Sequence, residues 1–294
     1  MDALFAQLFA GLSLGSVLLL AALGLALTFG QMGVINMAHG EFMMAGAYTA
    51  FVVQSVVGDA GLSLFVSLPA GFLVGGALGV LLEATLLRRM YHRPLDTLLV
   101  TWGVALILQQ LARDIFGAPN VEVRAPGWLS GNVDLGLLQV SSARLFIIVL
   151  SVAAVVGLGV LLKTSPLGRR IRGTVQSRDL AETVGVSTRA TDRMTFFIGS
   201  GLAGVAGVAL TLLGSTGPTL GTNYIVDAFL VVVAGGIGQI KGCVIAAFGL
   251  GTLQAAFEYS TTASLAKVAV LVVVVVFLQA RPQGIFSVKT RSLV

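Results

Sequence analysis

No charged residue lies between Asp2 and Glu41, and charge-poor apolar runs recur as far as Arg281. A run of that kind is stable only where water is scarce. About 20 apolar residues, wound as a helix, cross the hydrocarbon of a bilayer. Inside it every backbone amide has to be satisfied within the segment, which leaves helices or closed barrels. The chain carries 11% charged residues, against about 25% in soluble domains. These features predict an all-α, polytopic transmembrane bundle of about eight or nine spans in one domain covering residues 1–294. The first apolar run has no basic residue ahead of it and no clear cleavage boundary, so it is expected to stay as a helix.

Apolar windows fall near residues 4–29, 42–57, 62–87, 97–116, 145–163, 194–214, 225–239, 242–257 and 263–280. Prolines 94, 119, 126, 166, 218 and 282 fall between windows, where helix breakers belong. The windows at 42–57, 225–239 and 242–257 are short and are expected to be half-helices or pieces of a broken span. Thirteen of the eighteen basic residues crowd three places: Arg88 to Arg93, Lys163 to Arg193, and Arg281 to Arg291. Even numbers of crossings separate them, so the positive-inside rule puts all three in the cytoplasm, the N-terminus outside and the C-terminus inside. This accounts for the net charge of +5 without nucleic acid. Connection 117–143, with Arg124 set against Glu122 and Asp134, is expected outside. Asp227, at the start of an apolar run, is expected to cap its helix at the external end.

Glycines at 71, 75 and 79, at 11 and 15, and at 199 and 207 with Ala203 between them form small-residue stripes. In lipid such stripes let helix backbones approach closely. One apolar region is broken differently. Residues 29–48 hold Asn36, His39 and Glu41 among Gly30, Gly33, Gly40 and Gly46. Polar, glycine-broken sequence at membrane depth is tolerated where it is buried in protein or lines a water-filled path. Glu41 is expected to cap amides freed by Gly40 near the cytoplasmic end of a broken helix. A place in a substrate path or against a partner subunit is the alternative. His39 is expected as a hydrogen-bonded packing residue before a path residue.

Several chemistries are excluded. There is no Gly-Lys dipeptide and so no phosphate-binding loop. Two histidines, His39 and His92, and one cysteine, Cys243, support neither a metal site nor an intrachain disulfide. No cofactor and no catalytic residue is expected.

A second polar region, 163–193, is expected to be a cytoplasmic loop. Ser177 is placed to cap a short helix, with Asp179 in its first turn. Leu180 and Val184 fall on one face, and Gly185 is placed to end the helix. That apolar face needs a receiver. A membrane surface is one candidate, and a partner protein fits the short, mixed-charge helix better.

Asn36-Met37-Ala38-His39-Gly40-Glu41-Phe42, Ser165-Pro166-Leu167-Gly168-Arg169, Ala181 with Gly185, and Gly235-Gly236-Ile237-Gly238 together resemble the branched-chain amino acid-type permeases of ABC importers. The resemblance covers nearly the whole chain. Residues 29–36, 116–123 and 221–228 are more similar to the urea-type branch of that family. The resemblance implies a type II-like permease working with a second, related permease, two cytoplasmic ATP-binding subunits and a periplasmic substrate-binding protein in a bacterial inner membrane. It implies urea as substrate, with branched-chain amino acids or short amides as the alternative. A path for urea would need amide, hydroxyl and carbonyl partners more than fixed charges, which Asn36, Thr222 and Asn223 would suit, with His39 and Glu41 as the further path candidates. Arg178, Asp179, Glu182 and Gly185 would then meet the ATPase. A stand-alone channel, an ion-coupled carrier and a membrane-embedded enzyme are the competing classes.

Overall fold

The computed structural model describes residues 2–91, 93–134 and 139–286. His92, Lys289 and Arg291 lie outside the described residues. Among the described residues nine long helices form the bundle: α1 (Asp2–Met32), α2 (His39–Val57), α3 (Ala60–Thr85), α4 (Pro94–Phe116), α5 (Ser142–Thr164), α8 (Thr188–Leu210), α9 (Leu220–Gly235), α10 (Ile240–Ser260) and α11 (Ala263–Ala280). Two short helices, α6 (Pro166–Gln176) and α7 (Arg178–Thr183), lie between α5 and α8. Pro94 and Pro166 each sit in the first turn of their helix, where the missing amide hydrogen costs nothing.

Seven of these helices are long and apolar enough to cross a bilayer, and α9 is apolar but shorter. Each of the nine windows corresponds to one long helix. The window at 242–257 is not a half-helix, since α10 runs 21 residues. The window at 225–239 ends early. At Gly236 the backbone takes φ 100°, a left-handed conformation that stops α9. A short antiparallel hairpin, β1 (Asn132–Asp134) with β2 (Gln139–Ser141), adds the strands that an all-α reading does not contain.

At one end the three basic stretches meet. Arg178 lies over the Tyr91 ring, Gln31 reaches Asp192, and Ile285 N–H donates to the Ala234 carbonyl at 2.8 Å. At the other end connection 117–134 is tied to α2 by Gln54 and Arg124, which exchange two hydrogen bonds of 2.8 and 2.7 Å. There Val121 also forms an antiparallel bridge with Thr216.

Helices α1 and α8 are the centre of the bundle, with 72% and 67% of their most apolar windows buried. The corresponding values are 17% for both α5 and α11, so their apolar side chains form the outer wall. The small-residue stripes lie in the seams. Gly71, Gly75 and Gly79 of α3 face Gly204 and Ser200 of α8, while Gly11 and Gly15 of α1 face Gly251, Phe248 and Thr252 of α10.

These seams reveal an internal repeat. Helices α1–α4 and α8–α11 follow the same order with opposite direction, so α3 packs on α8 as α10 packs on α1. In each half the second helix starts deep in the bundle. After α1 ends at Gly33 (φ 64°), residues 33–38 climb back, and His39 opens α2 beside Ala21. Residues 211–219 turn inward in the same way, so that α9 opens at Leu220. From there α2 runs toward the hairpin end and α9 toward the basic end. Inverted repeats with discontinuous helices are a recurring build of transporters, and their half-helix ends mark the midplane.

Candidate functional site

The two deep helix starts touch. A Cβ on Gly40 would stand 2.5 Å from the Gly221 carbonyl oxygen, so only glycines let the backbones come this close. Both helices point their N-terminal, partly positive ends at this junction. No side chain caps either helix.

Asn36 supplies a turn just before α2. Its Oδ1 accepts from Ala38 N–H at 3.1 Å, and the side chain is 1% exposed. Thr101 of α4 holds the same segment, accepting from Met37 N–H at 3.0 Å and donating to the Thr97 carbonyl at 2.8 Å. His39 is fully buried, with Nε2 at 3.1 Å from the Ala21 carbonyl.

Glu41 differs from its expected position. It lies in the first turn of α2, beside Ala21 in the middle of the bundle and not at the basic end. The reason is the six-residue return of 33–38, which carries the start of α2 inward. Its Oε1 accepts from Gln109 Nε2 at 2.8 Å, and the same nitrogen reaches Thr222 Oγ1 at 2.8 Å. Thr222 and Asn223 are exposed on the first turn of α9. The junction thus brings Glu41 and Thr222 together through Gln109. Asn36 and His39 face their own backbone surroundings instead.

Gln109 was missed by reading the sequence. Its signal was a polar side chain in the middle of the 97–116 window, which at membrane depth is a marker of function. Asp227 also differs from expectation. It stands within α9, not at its end, and pairs with Lys267 of α11 at 3.0 Å.

From Glu41 a cavity of about 350 Å³ extends along α2, between α3 and α4. Apart from Glu41 its lining is almost wholly apolar, from Met44, Tyr48, Val52, Leu108 and Phe116 among others. Small-molecule sites have volumes of about 300–1,000 Å³ with a few polar groups on apolar walls.

The second candidate region is at the basic end. Ser177 Oγ accepts from Leu180 N–H, capping α7. Gly185 takes φ 83°, its N–H donates to the Glu182 carbonyl, and Val186 N–H donates to the Ala181 carbonyl at 2.9 Å. This pair of bonds is the Schellman stop. Leu180 and Val184 are 67% and 79% exposed. Asp179 occupies the first turn of α7.

Arg178 and Glu182 are held by partners within this same chain. The Arg178 guanidinium pairs with Asp192 of α8 at 3.0 Å, while Glu182 accepts from the Thr188 hydroxyl. Beside them Tyr91 donates to Glu83 Oε1 at 2.5 Å. Burial and the Glu83 carboxylate push the Tyr91 phenol well above its usual range, so it stays a donor.

Among the described residues no group of His, Cys, Asp and Glu is arranged to hold a metal ion. Comparison with known proteins agrees with the architecture. Residues 7–279 match the family described as branched-chain amino acid transport system / permease component. The chain is 27% identical over 291 residues to the high-affinity branched-chain amino acid transport system permease protein LivH of Salmonella typhimurium, covering 96% of this chain and 94% of the relative. It is 30% identical over 266 residues to the corresponding permease protein BraD of Pseudomonas aeruginosa, covering 85% and 84%. A probable LivH of Methanocaldococcus jannaschii is 25% identical over 95% of this chain and 91% of its own length. No solved structure matches. The homologues are transport subunits and not enzymes, and this chain belongs to the branched-chain amino acid transport system permease component family.

Proposed function

We propose that the chain is the membrane-spanning subunit of an ATP-driven importer that carries branched-chain amino acids across a bacterial inner membrane. Its N-terminus faces outward and its C-terminus inward, because the basic stretches gather at one end of the bundle. The observation that carries the substrate reading is the cavity beside Glu41, about 350 Å³ with walls that are almost wholly apolar. An aliphatic side chain fits such walls. The relatives, all branched-chain amino acid permeases by name, point the same way.

Urea is the second reading. Residues 29–36, 116–123 and 221–228 favour it through their likeness to the urea-type branch. Asn36, His39, Glu41, Thr222 and Asn223 remain the proposed path residues in either case. Urea, however, has no apolar surface to set against Val52, Leu108 and Phe116. ATP-dependent uptake of labelled leucine and urea by the reconstituted complex decides. Leucine uptake with no urea uptake is expected, and the reverse would overturn the amino acid reading.

Residues 163–193 form the proposed coupling loop of this single permease domain. Its partners are a second related permease, two ATP-binding subunits and a periplasmic binding protein. Arg178, Asp179, Glu182 and Gly185 shape the contact, and Leu180 and Val184 enter it. Support comes from the large exposure of these two side chains on a well-capped helix. Leu180→Asp with Val184→Asp is expected to lower co-purification of the ATPase at least tenfold while the permease stays monodisperse. Undiminished co-purification would remove α7 from the interface.

A further inference from the structure

We propose that Glu41 receives the α-ammonium group of an aliphatic amino acid whose side chain lies in the cavity between α2, α3 and α4. This rests on the amino acid reading above and names the contact that reading needs.

Glu41 is 2% exposed. Its Oε1 is bonded to Gln109, yet Oε2 has no hydrogen-bond partner among the described residues. None of the four ion pairs found among them includes Glu41. A buried carboxylate is costly unless it is paired and its oxygens are satisfied. The start of α2 offsets part of that cost through its dipole. It leaves Oε2 unanswered.

The polar atoms around Glu41 suit a cation with several donors. Gln109 Nε2 donates to two acceptors at once, Glu41 Oε1 and Thr222 Oγ1, each at 2.8 Å. An ammonium group has three donors and no acceptor. It can take these same two acceptors, with its third donor left for Oε2. Gln109, half-buried on α4, is therefore a neutral stand-in that the substrate displaces.

The rest of an amino acid fits the remaining features. Helix α9 starts at this point with no side-chain cap, and its free amides suit the substrate carboxylate. Glu41 Oε1 lies so near Gly221 that a Cβ there would be 2.7 Å away, which places the ammonium and carboxylate positions side by side. The aliphatic side chain then points along Met44, Tyr48 and Leu108.

The test uses the complete complex in proteoliposomes, with permeases, ATPases and binding protein. E41Q keeps the shape and removes the charge. It is expected to cut leucine uptake at least tenfold, with assembly and stimulation of ATP hydrolysis by the loaded binding protein unchanged. Leucine uptake at the wild-type rate and KM would overturn the proposal. So would loss of uptake together with loss of ATPase stimulation, because that marks a structural or coupling role. Should E41Q fail to assemble, the wild-type complex is labelled with a carbodiimide during turnover. Leucine should slow modification of Glu41 at least threefold where urea does not, and equal labelling overturns the proposal. A wild-type complex that carries urea and not leucine overturns the amino acid reading itself. One that carries leucine equally well as E41Q overturns only the role of Glu41.

Discussion

Gly204→Val is expected to abolish accumulation of the folded permease. Gly204 is where three helices meet. A Cβ there would fall on the Gly71 carbonyl of α3, and a Cβ on Gly46 of α2 would fall on the Gly204 carbonyl. The obstructing atoms are backbone, so no side chain can rotate away. Relief requires moving α3 or α2 away from α8 as a unit. That also opens the neighbouring contacts of Gly75 with Ser200 and of Gly207 with Met43. Overpacking a tight core costs about 1–3 kcal/mol where side chains can adjust. Here the cost is higher, because helix association in lipid depends on close packing, with no hydrophobic term to restore it. Gly249→Val and Gly157→Val are the controls, since a Cβ at either meets nothing within 4 Å. Membrane yield and monodispersity in detergent are the measurements. Equal yields for all three variants would show that the α2–α3–α8 seam is not under packing constraint.

The helices were legible because hydropathy is a local property. Nine windows became nine long helices, and the ends of α7 followed from Ser177 and Gly185, since caps are also local. Depth was not legible. A window over 42–57 records where α2 runs in the sequence and says nothing about how deep in the bundle it starts. That is decided by the return of 33–38, pinned by Thr101, which lies far away in sequence. The same limit applies to polar pairs. Glu41 and Gln109 are 68 positions apart, and Asp227 and Lys267 are 40 apart. Neither residue of such a pair announces its partner. Local sequence therefore suggests a cap at Asp227 and a place near the end of the bundle for Glu41, whereas partners distant in the chain hold both side chains. A symmetric reading would have helped: two short windows in matching places of two halves are the mark of an inverted repeat.

Replacing Arg178 is expected to destabilise the permease more than replacing Asp192, although the two form one ion pair. Asp192 is fully buried, and its carboxylate is bound by Arg178 at 3.0 Å and by Gln31 at 3.2 Å. With Arg178→Ala the carboxylate keeps only the neutral amide, and Glu83, also fully buried, lies close by. Removing one partner of a buried pair costs about 3–5 kcal/mol, because a charge is stranded. With Asp192→Ala the stranded group is Arg178, whose side chain is 32% exposed. It can turn toward water, so the loss is smaller. Replacing both, as in Arg178→Met with Asp192→Leu, strands nothing and is expected to recover most of the stability. Stability and coupling then separate. The pair joins α7 to α8, and α8 packs on α1, α2 and α3. If force on α7 reaches the bundle through this pair, the double variant will fold and bind the ATPase, yet hydrolyse ATP with uptake reduced at least fivefold. Full uptake by the stable double variant would assign the pair to folding alone. Thermal unfolding in detergent reads the first effect, and the ratio of leucine moved to ATP hydrolysed reads the second.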